Sequence, residues 1–88
     1  MEIRTMDDWS TVSFTFKNQI LGLQSPKARR DLNKILDGIY DLVNNLSKEE
    51  VECRRLHKQT AKHQELIAKI NERIEFLEQM ITFGALAT

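Results

Sequence analysis

From residue 53 to residue 81 the apolar positions recur in steps of four and three: Cys53, Leu56, Thr60, His63, Ile67, Ile70, Ile74, Leu77, Ile81. That spacing puts one stripe on one helical face and predicts a long helix over about 48–82 with a coiled-coil-like seam. A second periodic stretch carries Leu32, Ile35, Leu36, Ile39, Leu42, Val43 and Leu46 on a broader face. It predicts a helix over about 26–45 whose width suits a bundle. The first 24 residues read two ways. Val12, Phe14 and Phe16 alternate with polar residues, as a strand over 11–17 would. Trp9, Val12, Phe16, Ile20 and Leu23 are spaced as on a helix over about 7–22, with Thr5 or Asp7 as its cap. The helix is favoured, because nothing else in the chain alternates and a lone strand has no partner.

Two breaks separate these stretches. In Gly22-Leu23-Gln24-Ser25-Pro26, glycine can close one helix in the left-handed conformation, serine can cap the next, and proline fits its first position. In the stretch 44–51, Ser47 and Glu50 have capping-box spacing, Leu46 and Val51 can form a hydrophobic staple, and Asn45 can end the preceding helix. The expected fold is therefore all-α. An N-terminal segment, 1–24, precedes an antiparallel helical hairpin, 25–88, that turns near residue 46.

At 1.5 Å per residue the two long helices would be about 30 and 52 Å long, so roughly 20 Å of the second would project beyond the first. The overhang carries Ile70, Ile74, Phe76, Leu77, Met80, Ile81 and Phe83. Leaving such side chains in water costs about 1.5–3 kcal/mol each. The seam Ile67, Ile70, Ile74, Leu77, Met80 and Ile81 is accordingly the expected oligomer interface, in a homodimer or larger helical bundle or against a helical partner. Trp9, Phe14 and Phe16 are the residues expected to cover this end or to hold an external partner.

Composition narrows the function. The chain has 88 residues, 13 basic and 13 acidic, and zero formal net charge, so no global basic field for nucleic acid exists. Three glycines and one proline allow few turns. One cysteine forms no internal disulfide and fits a reducing, cytoplasmic setting. The opening residues MEIRTMDDW do not read as a secretory signal, and no apolar run approaches the roughly 20 residues of a membrane span. Residues 1–24 carry two cations against three anions, a poor match to anionic lipid.

Candidate chemistry is sparse. Cys53 and His57 share a helical face, but two ligands make half a zinc site, and no third group orients them for nucleophilic catalysis. No phosphate-cradling glycine loop occurs. No catalytic residue, metal, cofactor or small-molecule substrate is expected. Thr60 and His63 interrupt the apolar stripe, either as a device for register or pH response, or as polar residues at a wet edge. Two basic clusters, Lys27, Arg29, Arg30 and Lys34, and Arg54, Arg55, Lys58 and Lys62, open the two long helices. In the expected hairpin, facing residue numbers sum to about 95, which would merge the clusters into one phosphate-binding patch. The leading expectation is a non-enzymatic protein–protein interaction module, an adaptor, assembly or regulatory protein. A nucleic-acid-binding regulator is the alternative.

Overall fold

The structure, a computed structural model, describes residues 1–87, with side chains through residue 84. The final residue of the expected 25–88 unit lies outside the described residues. The chain is all-helical: α1 spans Met6–Leu21, α2 Pro26–Leu56 and α3 Ala61–Ala87. The strand alternative over 11–17 is replaced by α1. No helix among the described residues is long and apolar enough to cross a membrane.

Local chemistry sets most of the boundaries. The Thr5 side chain accepts the Asp7 N–H at 3.3 Å and starts α1, with Asp7 and Asp8 favourably placed in its positive first turn. The Ser25 side chain accepts the Ala28 N–H at 3.2 Å, and Pro26 opens α2. Gly22 closes α1 in a right-handed conformation, with φ −75°, rather than the expected left-handed one.

The expected turn at 44–51 does not form. α2 passes through it without interruption, Leu46 is fully buried and Ser47 is exposed. Leu46 continues the apolar row of Leu32, Leu36, Ile39 and Val43, and burying that row outweighs what a local capping box contributes, about 1 kcal/mol. The chain turns instead at residues 57–60. His57 ends α2 in the left-handed conformation (φ 56°), its N–H bonding the Arg54 carbonyl at 3.3 Å. The Thr60 hydroxyl accepts the His63 N–H at 3.1 Å and donates to Glu49 at 2.5 Å, so Thr60 serves as the helix cap of α3.

Moving the turn by about ten residues changes the pairing. α3 runs back along α2, with His63 beside Glu50 and Gly84 beside Leu32. Facing residue numbers therefore sum to roughly 115 rather than 95. The two helices are nearly equal in length, and the 20 Å overhang disappears. α1 packs on α2, Trp9 meeting Tyr40 edge-on at 5.2 Å between ring centres and Lys17 sitting 5.3 Å from the same ring. All three helices share one core. The result is a rod of 48 × 17 × 16 Å.

The first five residues complete the cover. Ile3 is buried, and Asn71 of α3 holds its backbone at both ends: the Ile3 N–H donates to Oδ1 at 2.7 Å, and Nδ2 donates to the Ile3 carbonyl at 3.0 Å. The Met1 amino group meets the Glu78 carboxylate. At the turn end, Glu50 accepts the Met6 N–H at 3.1 Å and lies 3.3 Å from His63 Nε2, so one carboxylate joins all three helices.

Asn71→Ala removes both bonds to Ile3 and leaves two part-buried backbone groups without partners. It is expected to lower unfolding free energy by about 1–3 kcal/mol and to deprotect the Ile3 amide. Urea melts combined with hydrogen exchange check this; unchanged stability and protection would show that the arm does not need the clamp.

Candidate functional site

The structure places the sequence-predicted interface residues inside the single chain. Ile70, Ile74 and Leu77 are fully buried, Ile81 is buried, and Ile67 and Met80 are partly buried against the same core. Their partners are α2, α1 and the N-terminal arm, so the cover demanded by the stripe is supplied in cis. Trp9 and Phe16 are buried in that core and serve as cover. Phe14 points outward, 67% exposed, and covers nothing. The Trp9 indole N–H finds no acceptor among the described residues, a cost accepted for burying the ring.

The two basic clusters do not merge. With α2 unbroken, Arg30 and Arg54 are 24 residues apart on one helix, about 36 Å. Lys27, Arg29, Arg30 and Lys34 sit at one end of the rod; Arg54, Arg55, Lys58 and Lys62 sit at the other. Several charges are also engaged. Arg29 donates to the Leu23 carbonyl. Arg55 binds Glu52 through Nε at 3.1 Å and through a second guanidinium nitrogen, and this hydrogen-bonded pairing holds the Glu52 carboxyl below its ordinary range and the Arg55 guanidinium above its own. Both side chains lie at the solvent-facing surface, so the pair contributes little to stability.

Among the described residues no three of His, Cys, Asp and Glu gather as a metal site. His57 is an exposed helix terminus, and Cys53 lies 3.7 Å from the Thr60 hydroxyl. His63 and Thr60, read from the sequence as one pair of core interruptions, separate in role: Thr60 caps α3, while His63 is buried beside Glu50.

Among the openings that the folded chain leaves is a groove between α2 and α3. Its volume is about 420 Å³, and its lining is Lys34, Ile35, Gly38, Ile39, Leu42, Arg73 and Phe76. Phe76 is 43% exposed there, and Phe83, seven residues on and so on the same face of α3, is 60% exposed. Ile35, Leu42 and Met80 are half-buried beside them. Sequence periodicity missed this site because Ile35 and Leu42 count there simply as members of a broad core face. Phe76, one position off the buried stripe at Leu77, was the available signal.

Gly38 is the anomaly of this groove. It lies mid-helix, has no positive φ, and a Cβ placed on it would meet nothing within 4 Å. Neither backbone conformation nor close packing within the chain calls for glycine, yet glycine here costs about 0.5–1 kcal/mol relative to alanine. Gly84 contrasts with it, since a Cβ there would lie 3.5 Å from Leu23.

The chain shows no match to any family model, curated protein or solved structure with which it was compared.

Gly38→Ala is expected to raise unfolding free energy by about 0.5–1 kcal/mol, read as a higher urea midpoint at unchanged slope. A loss of stability would mean that the chain itself needs the glycine.

Proposed function

We propose that this chain is a non-enzymatic helical interaction module, an adaptor, assembly or regulatory protein, that acts by presenting its α2–α3 face to another helix. The observation that carries the reading is the open groove itself. Phe76 stands out of α3 beside half-buried Ile35 and Leu42, and exposed Phe83 continues the same face of α3. Exposed large apolar side chains grouped beside a concave surface mark interaction sites more often than isolated ones do. A second copy, in a coiled-coil-like assembly, and a foreign chain would both dock in the helix-in-groove mode. The absence of a triad, a metal cluster or a phosphate loop in the sequence fits a role in binding rather than turnover.

Photo-cross-linking tests this reading directly. A benzophenone side chain is introduced in place of Phe76 or Phe83, and as controls in place of Ser10 or Lys58, in cells that make the protein. Discrete polypeptide adducts are expected from positions 76 and 83, absent from 10 and 58, and lost when Gly38→Leu fills the groove. Adducts spread equally over all four positions, or adducts to nucleic acid alone, would contradict the reading.

A further inference from the structure

The groove has a charge pattern as well as a shape, and the pattern selects among occupants. The two charged residues that line it, Lys34 on α2 and Arg73 on α3, are both cations, and neither makes an ion pair among the described residues. Lys69 stands one turn before Arg73 on the same side of α3, and Lys27 stands seven residues before Lys34 on the same face of α2. Both edges of the apolar strip therefore carry basic residues. The acids nearest on α2, Asp31, Asp37 and Asp41, are exposed and lie outside the lining.

We infer that the α2–α3 groove binds an acidic amphipathic helix of another protein, whose apolar stripe lies over Gly38 between Phe76 and Ile35 and whose flanking carboxylates meet Lys34 and Arg73. The inference rests on the reading of this groove as an interaction face and specifies its partner. Charge argues against a second copy. A two-fold contact sets the same patch against itself, and would bring the Lys34 and Arg73 of one chain toward those of the other. Shape argues for a helix. Lys34 to Leu42 spans about 12 Å of α2, and Phe83 of α3, which comes alongside Leu32, extends the strip by about 3 Å, together enough for roughly three turns. Gly38 fits the same account. With no side chain there, a helix backbone can approach α2 closely, as small residues permit at packed helix crossings.

The test uses the full chain and two labelled synthetic peptides of about 14 residues, long enough to span the groove with a turn to spare. Both carry leucines at helical i, i+3, i+4, i+7 spacing; one has glutamates on the flanks of that stripe and the other lysines. Anisotropy titrations are expected to show the glutamate peptide binding about tenfold or more tightly than the lysine peptide, with the difference shrinking as salt is added. Lys34→Glu with Arg73→Glu should reverse the preference, a result that unfolding cannot mimic. Gly38→Leu should abolish binding of the glutamate peptide while circular dichroism and the urea midpoint show an intact fold.

Equal binding of the two peptides, binding of neither, or binding that Gly38→Leu leaves intact would overturn the inference. So would a dimer in sedimentation that Gly38→Leu dissociates, which would assign the groove to a second copy. Binding of the chain to vesicles of anionic lipid without binding to the glutamate peptide would overturn it in favour of a membrane surface. Failure of both peptides together with persistent adducts from position 76 removes the acidic occupant and leaves the interaction face. Failure of peptides and adducts alike removes both.

Discussion

Five large aliphatic side chains along α3, Leu66, Ile70, Ile74, Leu77 and Ile81, cannot face water, and the arrangement of the chain follows from how they are covered. Burying each is worth about 1.5–3 kcal/mol, in total as much as the whole net stability of a small domain. α2 supplies one wall of the cover with Leu32, Leu36, Ile39, Val43 and Leu46. α1 supplies a second with Trp9, Val12, Phe16 and Ile20. Ile3 closes the remaining gap, held by the side chain of Asn71. Because all the cover comes from one chain, residues outside that core are released for other work, and the α2–α3 groove is where they gather.

Polar groups settle what apolar burial leaves open. Apolar contact alone permits helices to slide, whereas Glu50, with the Met6 amide on one side and His63 on the other, fixes the ends of all three helices to one carboxylate. Thr60 does similar work at the turn, linking Glu49 of α2 to the first turn of α3. Bonds of this kind contribute roughly 1 kcal/mol each in net terms, but leaving one partner alone costs more, so they specify register better than they add stability. The N-terminal arm is bound by the same logic, its backbone held by Asn71 while the Ile3 side chain is buried in the core.

The helical character of the chain was legible from periodicity. Trp9, Val12, Phe16 and Ile20 fall on the buried face of α1, and Ser25-Pro26 opens α2 as the cap chemistry implies. The turn was not legible where the signals were strongest. Ser47 and Glu50 have the spacing of a capping box, but Glu50 uses its carboxylate across the bundle, and the row ending in Leu46 keeps α2 helical. The true turn, His57-Lys58-Gln59-Thr60, contains no glycine or proline, and its left-handed residue is a histidine. Its one advance sign is the lapse of large apolar residues between Leu56 and Leu66. From that displaced turn followed the overhang, the merged basic patch and the expectation that Ile70, Ile74 and Leu77 face another subunit. The groove was hidden for a different reason: Gly38 reads in sequence as a weak helix position, and only the folded chain shows that nothing stands in front of it.

Since the account makes the cover of α3 an intramolecular matter, the dependence of unfolding on protein concentration examines it most directly. A chain that buries its own stripe unfolds in a one-molecule reaction, and its urea midpoint stays fixed over a hundredfold range of concentration, about as wide as spectroscopy allows. A midpoint that climbs steadily with concentration would mean that a second chain provides the cover, and would contradict the fold described above.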